Sequence, residues 1–111
     1  MSTMYAPAIV KAKEAERTKI GPYDARLLTD IEASGHVKYL YVLEVKKDGQ
    51  PVLYISSEVN AMNAELGGGS HFLCAFEGEK HMNFGCSDKW ADLETFKKKA
   101  YEMAKGQLKV K

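Results

Sequence analysis

The stretch VKYLYVLEVKKDGQPVLYISSEV, residues 37–59, decides the reading of the fold. Its odd positions Val37, Tyr39, Tyr41, Leu43 and Val45 are all apolar or aromatic, the two-residue period of a strand with one buried face. Asp48-Gly49-Gln50 is a turn signal, and Leu53, Ile55 and Val59 carry the same period into a second strand. If the odd positions of both strands share one face, the numbers of paired residues sum to an even value, which a three-residue loop satisfies. The expected register pairs Lys47 with Pro51, Val45 with Leu53 and Leu43 with Ile55.

Working toward the C-terminus, residues 60–69 end in Leu66-Gly67-Gly68-Gly69, a flexible connection. A second hairpin follows, with Phe72, Cys74 and Phe76 alternating on one strand and Met82, Phe84 and Cys86 on the next. The same parity gives a loop of Gly78-Glu79-Lys80, with Glu77 opposite His81, Phe76 opposite Met82, Cys74 opposite Phe84 and His71 opposite Ser87. The chain closes with an amphipathic helix. Ser87 or Asp88 caps it, and Trp90, Leu93, Phe96, Ala100, Met103/Ala104 and Leu108 follow at helical spacing.

Toward the N-terminus the segment Ala6 to Thr18 is rich in Ala, Lys and Glu, all good helix formers. It predicts an N-terminal helical arm over residues 1–21, with a thin stripe of Ala8, Ile9, Ala12 and Ala15, followed by a single domain over 22–111. Pro22 suits the first position of a second helix, and Gly35 suits its end. Within residues 23–34, Tyr23, Leu27 and Ile31 recur every four positions, yet Leu27, Thr29, Ile31 and Ala33 also alternate as a strand does. The punctuation favours helix. The fold expectation is therefore α+β: an antiparallel four-stranded sheet of two hairpins, N-terminal helical elements, and a C-terminal helix packed on one face. An extended 23–34 adds a fifth strand. The helix–hairpin–hairpin–helix order is similar to small profilin-like and roadblock-like domains, a likeness of fold that implies no function.

Composition bounds the function classes. A chain of 111 residues is the size of one domain. With 16 Lys+Arg against 15 Asp+Glu its net charge is only +1, without the basic excess of a nucleic-acid binder. No apolar run approaches the roughly 18 residues that span a bilayer, and the start MSTMYAP has no basic and apolar leader pattern. The expectation is a soluble cytoplasmic domain that does not engage membrane. Residues 96–111 carry six Lys and one Glu; lysines at a helix C-terminus complement its dipole, and no aromatic residues interleave with them to stack on bases.

Each residue type that could carry chemistry also has a plainer role. Cys74 and Cys86, with the latter on the diagonal of the expected hairpin, sit too far apart for a disulfide and read as reduced core thiols. No CxxC, HxxxH or HExxH spacing occurs. His71 and Cys74 are an odd number apart, on opposite faces, and the expected register separates His71 from His81 by roughly 20 Å along the strand. No metal, no cofactor and no catalytic residue are therefore expected. Ser56, Ser57 and Ser70 lack a GxSxG elbow, and Glu77 with His81 reads as a cross-strand pair supporting the hairpin.

The informative anomaly is the second face of the sheet. Lys38, Glu44, Lys46, Glu58, His71, Glu77, His81 and Asn83 fall there, but so do Leu40, Val42, Val52, Tyr54, Leu73 and Ala75. A face meeting water would carry fewer apolar residues. Residues 23–34 could cover it through Tyr23, Leu27, Leu28 and Ile31; so could a second copy of the chain, another protein or a small ligand. Two functions follow. One is a non-enzymatic interaction or homodimerisation module using Leu40, Val42, Val52, Tyr54 and Leu73. The other is a small-ligand binder or minor enzyme with Gly67, Gly68 and Gly69 as a lid beside Glu58, Asn60, Asn63 and His71.

Overall fold

The structure, a computed structural model, describes residues 7, 9–34, 38–59 and 70–110. Its core is a six-stranded antiparallel sheet in which spatial order follows chain order. The strands are β1 (Ile9–Ile20), β2 (Tyr23–Ala33), β3 (Tyr39–Lys47), β4 (Gln50–Val59), β5 (His71–Glu77) and β6 (Lys80–Ser87). A short 3-10 turn over Asp88–Ala91 leads into α1 (Leu93–Gln107).

Three of the connections are two-residue turns, and each is built on a residue with positive φ. Gly21 (φ 59°) joins β1 to β2, Asp48 and Gly49 (53° and 81°) join β3 to β4, and Gly78 (62°) joins β5 to β6. Two positive φ angles at Asp48-Gly49 define a type I′ turn, whose twist matches that of the strands it joins. The closing pairs are Ile20 with Tyr23, Lys47 with Gln50 and Glu77 with Lys80.

The first hairpin keeps the expected register inside. Val45 pairs with Leu53 and Leu43 with Ile55, because a bulge between Lys46↔Pro51 and Val45↔Leu53 restores the parity that the shorter turn shifts. The second hairpin does not. Its two-residue turn pairs Phe76 with His81, Ala75 with Met82 and Cys74 with Asn83, one residue away from expectation. A bulge then brings His71 back opposite Ser87. Gly85, with φ 99° and its N–H donated to Asn83 Oδ1 at 2.7 Å, lies in that bulge.

The four-stranded expectation with N-terminal helical elements is overturned. Residues 9–20 form β1 rather than a helical arm, and 23–33 form β2 rather than a second helix. Intrinsic helix preference yields here to pairing, since β1 and β2 share a ladder from Ile20↔Tyr23 to Ile9↔Ala33. The Lys- and Glu-rich composition that looked helical suits an edge strand. Lys11, Lys13, Glu14, Arg17 and Lys19 are all exposed along it, and charge on an edge discourages pairing with other chains. The profilin-like and roadblock-like likeness falls with those helices.

One face of the sheet buries Ala25, Leu27, Leu43, Val45, Leu53, Ile55, Leu73 and Ala75 against Phe96, Ala100 and Ala104 of α1. Leu73 and Ala75 therefore belong to the helix-covered face, and Phe72, Cys74 and Phe76 to the other, the reverse of expectation. Asp92 caps α1 by accepting from the Thr95 backbone N–H at 2.9 Å. Ser57 Oγ donates to the Trp90 carbonyl at 2.6 Å, tying the helix entrance to β4.

The second face has its own core of Leu28, Val42, Tyr54, Cys74 and Phe76. Its cover comes from the β1–β2 hairpin. Beyond Leu28↔Val42 no further β2–β3 pair forms among the described residues, while β2 stays paired with β1 through register shifts and Asp30 at φ 50°. Such irregularities bend a strand, and Ile9, Ala12 and Ile31 from this end pack against the second core. Of the four residues expected to cover the face, Leu28 and Ile31 do so from a strand, whereas Tyr23 and Leu27 join the helix side.

Candidate functional site

Register places the side chains of the second face in three rows running across the strands. The first is Arg26–Glu44–Tyr54–Phe76–His81, from β2 to β6. The second is Leu28–Val42–Ser56–Cys74–Asn83. The third is Tyr39–Glu58–Phe72–Cys86, from β3 to β6, with a bulge between Tyr39 and Tyr41 turning Tyr39 onto this face.

Two carboxylates are buried there, and they are treated differently. Glu44, 8% exposed, receives Arg26 Nη2 at 2.8 Å and has Lys46 Nζ at 3.6 Å. Glu58, 7% exposed, has no Arg or Lys beside it among the described residues. Its Oε2 accepts from Ser56 Oγ at 2.8 Å and lies 3.7 Å from His81 Nε2. The Cys74 thiol completes the group. Glu58, Cys74 and His81 each offer one ligand-type atom, and these three atoms lie within 4.8 Å of one another. They occupy one diagonal of the three rows on β4, β5 and β6. Phe76 stacks on the His81 ring, with centroids 4.5 Å apart and planes 10° from parallel.

Electrostatics follow burial. The Cys74 thiol is pushed well up, first by its burial, then by the Glu58 charge and the hydrogen bond it makes to that carboxylate. Tyr39 is pushed up to about 12 by burial, with the Glu58 and Cys74 charges adding to it. A thiol held in its protonated form is a poor nucleophile. The Cys–His–Glu grouping therefore does not have the low-pKa cysteine that acyl transfer requires, whereas three mixed S, N and O donors converging on one point suit a cation.

The residues singled out in the sequence are dispersed. Glu58 lies on the second face, but His71 pairs with Val59 and Ser87 and alternates onto the opposite face from Phe72 and Glu58. His71 Nδ1 lies 2.7 Å from Ser70 Oγ, and burial lowers its pKa, partly offset by Asp88. The structure therefore does not bring Glu58 and His71 together. Asn60, Asn63, Gly67, Gly68 and Gly69 lie outside the described residues. Of the residues expected to form an interface, Val42, Tyr54 and Leu73 are buried at 0%, 8% and 1% exposure, with Leu73 beneath the helix, while Leu40 and Val52 are half-buried. Cys74 and Cys86 form no disulfide.

Cys74 and His81 are the site residues that sequence reasoning missed, and one signal pointed to them. Gly78 at the first central position of a hairpin turn favours a two-residue loop, which turns His81 onto the face of Cys74. No protein-family model, no curated protein and no solved structure matches this chain.

Proposed function

We propose that this protein is a non-enzymatic small-ligand-binding domain whose ligand seats on the second face of the sheet, against Glu58. The observation that carries this reading is the contrast between the two buried carboxylates. Glu44 is neutralised by Arg26 at 2.8 Å. Glu58, at the same depth, has among the described residues hydroxyl and thiol donors and a half-exposed imidazole 3.7 Å away. Burying a carboxylate costs several kcal/mol unless it is paired, and a cationic or donor-rich ligand supplies what the chain leaves out. His81, with 46% of its side chain exposed, marks the way in.

Native mass spectrometry and a thermal-shift screen against metal ions, amines and small cationic metabolites test the reading on wild type and Glu58→Gln. Wild type is expected to retain added mass, or to gain about 2.7 kcal/mol at a ligand concentration of 100 times Kd, with both effects lost in Glu58→Gln. A wild type without added mass and with no stabilisation by any member of the screen refutes it.

A second reading, homodimerisation, has a separate observation in its favour. Phe84 is 52% exposed on β6, an edge strand. The same mass spectrum reports subunit number. A dimer that Phe84→Ser converts to monomer supports this reading, and a wild-type monomer removes it.

A further inference from the structure

We infer that the ligand of the second face is a single thiophilic divalent ion, of which zinc is the type, held by Glu58, Cys74 and His81. The inference rests on the reading of the Glu58 face as a ligand site and names its occupant.

Donor chemistry makes the choice. Calcium and magnesium take six or more oxygen ligands. A thiolate, an imidazole and a carboxylate together suit zinc and its borderline neighbours. Charge agrees: one thiolate and one carboxylate neutralise a divalent ion, leaving a neutral complex in a site where Glu58 and Cys74 are buried. Bonds of about 2.0–2.3 Å in a tetrahedron place ligand atoms roughly 3.3–3.8 Å apart. The three atoms now lie within 4.8 Å of one another, so closure of about 1 Å by side-chain rotation completes the geometry. The half-exposed His81 has room for that rotation. Binding breaks the Cys74 S–H bond, forms a sulfur–metal bond and releases the proton to solvent.

The surroundings are those of a built site. Three adjacent hydrogen-bonded strands fix the three backbones. Ser56 orients the Glu58 carboxylate through its 2.8 Å hydrogen bond, and Phe76 holds the imidazole plane by stacking. Such outer contacts tune metal affinity as strongly as many direct ones. Three protein ligands leave one tetrahedral position open, as in zinc sites that hold a water or a further ligand.

The test is a cobalt(II) titration of the full chain under reducing conditions. A thiolate–cobalt charge-transfer absorption is expected to saturate at one equivalent and to be displaced by zinc. Cys74→Ser abolishes the band, Cys86→Ser leaves it, and Ser56→Ala weakens binding about 10–100-fold. His81→Gln, a change at a half-exposed position that leaves the core intact, weakens it at least as much. A wild type without the band, or a band that survives Cys74→Ser, overturns the inference. If cobalt and zinc leave the protein unchanged while an organic cation stabilises wild type and not Glu58→Gln, the metal is refuted and the ligand face stands. If nothing binds, both fall.

Discussion

Replacing Phe96 by Ala probes the contact that fixes the helix to the sheet. Phe96 is the largest side chain that is fully buried, at 0% exposure, and it sits in the first turns of α1. Its ring lies 5.6 Å from that of Tyr41. The other buried helix positions are Ala100 and Ala104, so Phe96 is the one large side chain among the fully buried positions of the helix, with Leu93, Tyr101 and Met103 partly buried beside it. At about 25 cal/mol per Å², the 150–250 Å² that an aromatic residue buries corresponds to roughly 4–6 kcal/mol of transfer energy. Relaxation would recover some of this if the helix could sink into the gap. Its entrance is pinned, however, by Ser57 Oγ to the Trp90 carbonyl at 2.6 Å and Tyr41 Oη to the Ala91 carbonyl at 3.3 Å. Lys97 Nζ is also paired with Glu16 on β1 at 2.8 Å. The expected loss is therefore about 3–5 kcal/mol, a large share of the 5–15 kcal/mol typical of a domain. With a urea slope near 2 kcal/mol/M, the midpoint falls by about 1.5–2.5 M at unchanged slope. Phe96→Leu, which keeps most of the volume, is expected to cost less than about 1.5 kcal/mol. A loss below about 1 kcal/mol for Phe96→Ala would refute this docking of the helix.

Three further changes test separate parts of the account. Gly78→Ala places a side chain at φ 62° where its Cβ meets nothing within 4 Å; urea unfolding should show a loss of about 1–2 kcal/mol from the backbone alone, and a neutral result would remove the turn that sets the β5–β6 register. Tyr101→Phe deletes a buried hydroxyl that has no hydrogen-bond partner among the described residues, so stability should hold or rise by up to about 1 kcal/mol; a clear loss would reveal a partner. Asp92 accepts from the Thr95 hydroxyl and backbone N–H, and these bonds hold its carboxyl below the ordinary 3.8. That contribution is present above pH 3.8 and disappears as pH falls through the lowered folded value, so Asp92→Asn should flatten the acid limb of the stability–pH curve there; superimposable limbs would show that the cap does not titrate.

How much of this was legible in the sequence depends on how one-sided each strand is. The β3–β4 pairing was readable because Val37, Tyr39, Tyr41, Leu43 and Val45 are apolar without a break while Lys38, Glu44 and Lys46 interrupt the other face, and Val45↔Leu53 and Leu43↔Ile55 stand as read. β5 defeats the same method. Leu73, Cys74, Ala75 and Phe76 are all buried, so parity carries no information about which set faces the helix. Placing Cys74 and Phe76 on that side also imposes the wrong hairpin register. A three-residue loop sent His81 to the face opposite Cys74, and the metal-type cluster could not be seen. β1 was lost for a different reason: an edge strand is selected for charge and solubility, and its Lys- and Glu-rich composition coincides with that of a solvated helix. The C-terminal helix was legible because Phe96, Ala100 and Ala104 obey its period and nothing competes with it.

The second face also shows why a site of this kind should be expected where local rules fail. Around Glu58 and Cys74 lie the apolar side chains Val42, Tyr54, Phe72 and Phe76 of the same face, with Ser56 and Asn83 as polar neighbours. A leucine at position 58 would extend that cluster and remove a buried charge, and replacing buried charge by apolar packing is often neutral or stabilising. The chain instead buries a carboxylate, gives it a hydroxyl donor from Ser56 and sets a thiol and an imidazole against it. Packing does not require any of these three. Glu44 does not share the oddity, because Arg26 at 2.8 Å and Lys46 at 3.6 Å neutralise it at the β2–β4 end of the same face. Beyond the Glu44 pair, the groups that meet Glu58 are Cys74 and His81, on one diagonal of adjacent strands, with Ser56 beside it. On the proposed reading, a departure so consistent in donor chemistry follows from what those atoms would bind together.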